Sequence, residues 1–417
     1  MVQERKLSKE AALLEAAGCL KCYQAPCQEN CPAGIDIPGF IYRIKVGDIR
    51  GAKKILYDQN LFSATCAAVC PVEELCQENC NKGEVSRSVA IGALQAYAAA
   101  EGGEIDLPSA EKTSQPRRIA VIGAGPAGMS GAYHLARAGH QVDLFEAQDR
   151  PGGTAFWGIP AWRLSREILE KESRDIERHL HSVNYNTRVG EDIAAETILQ
   201  DYDAVLIGCG LGAGASLRIE GAGLEGLVDA SSFLRYHNTG ENGVPSPDGK
   251  IVLIIGGGNT AMDAALAARE AGAERSIIVY RRSWKEMPAW KEEIHKALEG
   301  GVEFIMQTAP VEIIGQARVE GLKMVPTRLI GGDEDSRPRP VPLEGREFAF
   351  PADMIITALG QMENPLVEQF QGQDKVFFAG DAAGGEATVV QAVADGREAA
   401  EKIMACFQEE KGEGCQS

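Results

Sequence analysis

The chain has 417 residues, of which 44% are hydrophobic and 47 are glycine, a composition that gives two or three packed domains with helices and strands rather than a disordered or fibrous chain. Its formal net charge of −18 argues against a nucleic-acid binder, which needs a basic face to meet phosphate. No apolar run reaches the ~20 residues that cross a bilayer, and the amino-terminal stretch MVQERKLSKEAALLEAAG is charged and amphipathic, without the apolar core of a secretion signal, so a cytoplasmic protein with no membrane partner is expected.

Residues 1 to about 100 read as an all-α segment, with helical periodicity at 10–17, 38–45, 49–57 and 89–100. Eight of the eleven cysteines lie in it, as Cys19, Cys22, Cys27 and Cys31, then Cys66, Cys70, Cys76 and Cys80. Cys31 and Cys70 each precede a proline, as in bacterial iron–sulfur ligand runs. Disulfides need an oxidising compartment, which the expected location does not provide. Zinc would accept Cys19 and Cys22, but structural zinc uses two such pairs, and the other gaps within the blocks are four, three, three, five and three residues. Thiolate sulfur suits iron clusters equally well, and the set is large enough for two. The spacing still departs from the compact ferredoxin run, whose second gap is shorter. Cysteines four apart, Cys66/Cys70 and Cys76/Cys80, would share a helical face if their turns are helical.

A polar, proline-containing stretch near 103–116 marks a domain boundary. Beyond it, an apolar strand at 118–122 runs into Gly123-Ala124-Gly125-Pro126-Ala127-Gly128, a helix at 129–137, and a second strand at 141–146 that ends in Glu146. Strand, glycine loop, helix, strand and acid in that order make a dinucleotide site: the glycines let backbone approach the pyrophosphate, the helix N-terminus holds its charge, and the acid accepts from a ribose. The order repeats from 251–255 through Gly256-Gly257-Gly258-Asn259-Thr260-Ala261 to a strand at 276–282, but the second strand ends in Arg281 and Arg282. Arginine there accommodates a 2′-phosphate. FAD is therefore expected on the first loop, and NADPH on the second, with NADH the alternative.

The segment 356–360, with Ala358 and Gly360, reads as the strand by which the chain leaves the second unit. A third element follows, an apolar strand ending in Gly380-Asp381, with Thr388 and Val389 opening a helix; it puts a carboxylate at the carboxyl edge of a sheet, beside a ligand. The fold class expected is thus α/β with an all-α N-terminal domain: a helical iron–sulfur domain at 1–115, an FAD domain at 116–245 and 353–417, and an NAD(P)H domain inserted at 246–352. The six histidines are scattered and read as structural or surface groups, and Cys209 as a packing residue.

These elements together resemble the two-dinucleotide-domain flavoproteins. With the cysteine blocks in front, the chain resembles over nearly its whole length the small flavin/iron–sulfur subunit of glutamate synthase and the electron-input subunit of bacterial dihydropyrimidine dehydrogenase. The signatures are Cys-x2-Cys-x4-Cys-x3-Cys-Pro, Gly152-Gly153 with Gly158-Ile159-Pro160, Gly256 to Asp263, and Ala379-Gly380-Asp381. The compact length and Ile91-Gly92-Ala93-Leu94-Gln95 favour the pyrimidine enzyme, whereas Tyr280-Arg281-Arg282 with Met287-Pro288 favours glutamate synthase; we place the pyrimidine reading first.

The resemblance adds Gly153 and Thr154 to the flavin site, and it implies two interleaved [4Fe-4S] clusters. Cys19, Cys22 and Cys27 would join Cys80, while Cys31, Cys70 and Cys76 would join Gln95, leaving Cys66 over. It also implies electron flow from NADPH through FAD to the clusters and on to an FMN-containing catalytic partner subunit, with no catalytic acid–base residues here. A free-standing reductase is the alternative. Disulfide reductases share the fold but need a cysteine pair against the flavin; none lies between Gly123 and Gly208, and Cys406 and Cys415 lie in the tail.

Overall fold

The computed structural model describes residues 6–241, 243–331 and 337–409. The amino-terminal helices are Lys9–Ala17, Ile37–Lys45, Ile49–Gln59, Ser63–Val69 and Ile91–Glu101, with the four-residue Pro26–Glu29 between the first two. Their starts are written locally. Ser8 accepts from Ala11 N at 3.2 Å, Asp36 from Gly39 N at 2.9 Å and Asp48 from Gly51 N at 2.9 Å, each satisfying an amide that the first turn leaves open. Phe40, Ile41, Ile44, Leu56 and Leu94 close on one another in a core almost without exposure. Cys66 is helical and Cys70 is the residue that ends its helix, but Cys76 and Cys80 lie in successive turns, not on a helical face. There Gln77 N reaches back to Val72 O and Cys80 N to Gln77 O, a tightening that starts after Pro71.

Two compact units make up the chain. The first comprises the described residues of Met1–Phe156, Ala161–Leu211 and Glu363–Ser417. Its parallel sheet has the strand order Val376–Phe378, Ala204–Ile207, Arg118–Ile122, Gln141–Phe145, Ser182–Asn184. The central strands read as unbroken apolar runs because helices cover such sheets on both faces. The helical cysteine segment, expected as a domain at 1–115, lies within this unit, and polar contacts join it to the residues beyond. Glu172 accepts from Tyr57 Oη, Ala64 N and Thr65 Oγ1 at 2.7–2.8 Å.

The second unit is Trp157–Pro160 with Gly212–Met362. Its parallel sheet runs Leu227–Asp229, Met354–Thr357, Ile251–Ile255, Arg275–Tyr280, Glu303–Met306. Pairing of Leu227–Asp229 with Met354–Thr357 draws residues well before 245 into this unit. It also contains an antiparallel sheet of Thr308–Ile314, Gly321–Ile330, Arg339–Pro342 and Phe348–Pro351, which sequence reading missed. Pro310, Pro326, Pro340, Pro342 and Pro351 all fall inside these strands, and proline argues against a strand wherever pairing is read from sequence. No helix among the described residues is long and apolar enough to cross a membrane.

Candidate functional site

The first glycine loop is shaped by close backbone approach. Gly123 has φ +103°, and a Cβ there would lie 2.5 Å from Gly208 O; a Cβ on Gly128 would lie 1.9 Å from Gly123 O. Only glycine lets strand and helix meet so closely. Gly125 is the N-cap of the helix Pro126–Arg137, with Pro126 in its first turn, where a missing amide hydrogen costs nothing. Gly153, at φ +52°, brings its loop against Gly125, and Gly380, at φ +64°, packs on Ala127. Thr154 opens a short helix next to them.

Glu146 is buried, with its two oxygens accepting from Ala124 N at 2.7 Å and Gln148 N at 2.8 Å, so the acid is clamped to the loop it serves while each oxygen retains a second lone pair. Burial, and then the Asp395 carboxylate, push Asp381 above the usual carboxylate range. Thr388 Oγ1 caps the long helix that begins at Val389, accepting from Gln391 N at 3.2 Å. Gln148 and Asp395 had no motif to flag them; they join the site through the turn and the helix register.

All the residues expected at the second loop lie in the second unit. Gly256 has φ +152° and abuts Ala358, whose carbonyl oxygen would be 2.4 Å from a Cβ. Gly258 is the N-cap of the helix Asn259–Glu270, Thr260 is exposed in its first turn, and Asn259 Oδ1 accepts from Trp290 N at 2.9 Å. Gly360, at φ +97°, leaves open space around it. Arg281 is exposed beyond the strand end, while Arg282 is half-buried and its Nε donates to Pro338 O at 2.9 Å. Tyr280, which the motif did not predict, lies flat against Gly257, where a Cβ would come 2.6 Å from the ring.

The thiols crowd one another electrostatically. Burial raises Cys19, with Cys22 and Cys80 adding to the effect, and burial followed by Cys80, Cys19 and Cys22 pushes Cys27 up to about 12. Asn81 Nδ2 donates to Cys22 Sγ at 3.6 Å. Burial raises Cys76, reinforced by Cys70, Cys31 and Cys27. Gln95 is buried, and its Nε2 donates to Ser63 O at 2.8 Å and Ser63 Oγ at 3.3 Å, so the amide nitrogen is engaged and its oxygen is the atom left for a metal. Cys66 is buried, its thiol raised by burial despite the Asn60 amide beside it, with Cys31 among its neighbours.

Such crowding disfavours thiolates until a metal takes them. Among the described residues, no three Cys, His, Asp or Glu side chains converge on a point that would take one metal ion, which tetrahedral zinc at ~2.3 Å from each sulfur demands. An iron–sulfur cluster, whose body is larger than one ion, is held by thiolates without such convergence on a single point. Cys209 packs on apolar neighbours and is pushed up to about 11 by burial, the state of an inert thiol. Cys406 is on the last helix, and Cys415 lies outside the described residues.

Residues 2–105 match the family described as "Dihydroprymidine dehydrogenase domain II, 4Fe-4S cluster", and residues 117–396 match "Pyridine nucleotide-disulphide oxidoreductase". The chain is 34% identical to the NADP(+)-dependent formate dehydrogenase subunit beta of Moorella thermoacetica, over 91% of this chain and 59% of that one. It is 32% identical to the glutamate synthase [NADPH] small chain of Azospirillum brasilense, over 96% and 90% of the two chains. The NAD-dependent dihydropyrimidine dehydrogenase subunit PreT of Escherichia coli K12 is 34% identical, over 94% and 93%. The chain therefore spans about three-fifths of the first relative and about nine-tenths of the other two. Among solved structures, FprA of Mycobacterium tuberculosis in complex with NADPH has the same fold, with a TM-score of 0.64 at 19% identity over 73% of this chain and 87% of that one.

Proposed function

This chain belongs to the pyridine nucleotide-disulphide oxidoreductase family, in the group that includes the glutamate synthase small chains and PreT, and on that premise we propose that it is the electron-input subunit of a larger reductase. It is a flavin- and iron–sulfur-dependent NAD(P)H oxidoreductase. We assign the clusters to the helical segment 1–115, FAD to the rest of the first unit, and the nicotinamide nucleotide to the second unit, Trp157–Pro160 with Gly212–Met362. When bound, the nicotinamide supplies a hydride, the flavin divides that electron pair, and the clusters take electrons one at a time.

The chain's own residues bind and orient. Gly123, Gly125 and Gly128 admit the FAD pyrophosphate to backbone amides at the helix N-terminus, and Glu146 accepts from the ribose. Gly380 and Asp381, with Thr388 and Val389, border the rest of the flavin. Gly256, Gly258, Asn259 and Thr260 repeat the pyrophosphate cradle for the nicotinamide nucleotide, between Ala358 and Gly360, and Arg281 with Arg282 meets the 2′-phosphate. Cys19, Cys22, Cys27 and Cys80 hold one cluster, and Cys31, Cys70, Cys76 and Gln95 a second, so Cys66 holds neither. The cysteine-rich segment, within the same unit as the first glycine loop and matched over residues 2–105 to a 4Fe-4S family, carries this reading. A cytoplasmic home follows from the need to keep those thiols reduced.

The terminal substrate is uracil or thymine, reduced on an FMN-containing partner subunit, a reading supported by the similarity to the dihydropyrimidine dehydrogenase subunit PreT. Glutamate synthase is the second reading, favoured by Arg281 and Arg282, which suit a phosphorylated nucleotide; the name of PreT specifies NAD and that of the glutamate synthase chain NADPH.

Anaerobically purified protein should contain flavin, iron and acid-labile sulfide, and oxidise NADPH with an artificial acceptor while leaving uracil, thymine, and 2-oxoglutarate with glutamine untouched. Absence of iron and sulfide sinks the proposal, and turnover of any of those substrates by this chain alone sinks the partner. Cys66→Ser should keep its full iron; loss of half would make Cys66 a ligand in place of Gln95.

A further inference from the structure

The helix Val389–Glu409 joins the flavin loop to the cysteine-bearing helices. At its start, Val389 and Val390 pack into the core formed by Phe40, Ile44 and Leu94. One turn on, Ser130 Oγ donates to Val393 O at 2.7 Å, and a turn further Gly396 lies where a Cβ would come 2.1 Å from Ala127 O. This glycine crossing locks the helix against Pro126–Arg137. The next residue, Arg397, is thereby aimed by backbone packing and not by the freedom of its own stem.

Arg397 Nη1 donates to Ala33 O at 3.2 Å and faces Gln59 O and Gln59 Oε1, each at 3.4 Å. Ala33 stands two residues past Cys31. The backbone amides of Ile35, Ala33 and Gly34 face the Cys31 sulfur, and Arg397 is among its charged neighbours. Successive amides turned on one atom form an anion-binding concavity, and the guanidinium holds the loop that carries it.

Resting on the reading that Cys31 holds a cluster together with Cys70, Cys76 and Gln95, we infer that Arg397 is a positioning residue that raises that cluster's reduction potential above the value the thiolates alone would set. A cluster gains negative charge on reduction, and its potential follows the net charge and the hydrogen bonds around its sulfurs. A held cation and three aligned amides both favour the reduced form. The residue that does this comes from the helix that crosses Pro126–Arg137 beside the first glycine loop.

The experiment is an anaerobic redox titration of the full chain followed by electron paramagnetic resonance, with the second cluster's signal identified as the one altered in Cys76→Ser. Arg397→Gln should lower the one-electron equilibrium constant of that cluster about tenfold, equivalent to about 59 mV, and leave the other cluster's signal unmoved. Arg397→Lys, which keeps the charge, should recover most of the shift. An unchanged potential in Arg397→Gln at full iron overturns the inference, as does an equal fall in both clusters. If Arg397→Gln loses iron, Arg397→Lys at full iron decides: a tenfold fall there overturns the role of charge, and a potential near that of the unaltered protein supports it. A Cys76→Ser protein with both signals intact overturns the ligand assignment itself, which separates that failure from a failure of Arg397.

Discussion

At Gly123 and Gly256 the same backbone device recurs: φ is +103° in one and +152° in the other, and an added Cβ would meet Gly208 O at 2.5 Å or Ala358 O at 2.4 Å. Beyond that glycine the two loops diverge. Five residues on, the first has Gly128, 1.9 Å from a carbonyl if a Cβ were present, and the second has the buried Ala261. The first strand pair ends in a buried acid tied to two backbone amides, the second in an exposed arginine followed by a half-buried one. Tight packing and a clamped acceptor suit a cofactor that stays. An exposed guanidinium suits one that comes and goes, because it can rearrange without disturbing the core.

The sharpest way to break this contrast is Gly128→Val. Its branched Cβ cannot be accommodated without moving Gly123 or the helix, and overpacking costs roughly 1–3 kcal/mol or more; the purified protein should lose its flavin, measured as the ratio of flavin absorbance to protein. Retained flavin would mean that the first loop is as tolerant as the second.

Next in size, Arg281→Ala combined with Arg282→Ala should weaken NADPH much more than NADH, each charged contact contributing about 1.5–3 kcal/mol. Steady-state KM values for the two nucleotides measure it, and equal losses would make both arginines structural, as the Arg282 bond to Pro338 O already is in part.

The units also differ in how they bury a glutamate. Glu293 has the cation Lys296 at 3.3 Å, whereas the direct contacts of Glu172 are the neutral donors Tyr57, Ala64 and Thr65, and burial raises it to about 7. A carboxyl whose folded pKa stands above its unfolded one binds its proton more tightly in the native state. Its stabilisation is complete below about 4.5 and is lost as pH rises through about 7, in total ~3 kcal/mol at 1.36 kcal/mol per unit. Urea unfolding from pH 5 to 8 should therefore show a fall that Glu172→Gln flattens.

The smallest expected effect is that of Gly258→Ala. With φ in the ordinary negative range and no atom within 4 Å of a Cβ, it should change the melting temperature by the equivalent of less than about 0.5 kcal/mol, while NADPH affinity falls because the added methyl occupies the approach to the pyrophosphate.

Helices, parallel strands and both glycine loops were legible because each is a local pattern: caps such as Ser8 and Asp36, apolar runs such as 251–255, and glycines at obligatory positive φ. The expected cysteine partition came from resemblance and not from spacing, since eight thiols divide into two fours without reference to Gln95. The antiparallel sheet was hidden by its prolines. Ser63, which engages the Gln95 amide, and Glu172, which accepts from the start of the same helix, bear no motif, because each acts on a residue more than thirty or a hundred positions away.

The amino-acid order by itself determined that two dinucleotide units follow a thiol-rich helical segment, because glycine loops and cysteine blocks are written in consecutive residues. Only the tertiary structure decided that the thiol segment and the first dinucleotide unit share one body, and that Arg397 reaches the Cys31 loop. Those outcomes depend on helices crossing at Gly131 and Gly396, where the absence of a side chain lets backbones meet, and close packing between distant segments leaves no local trace.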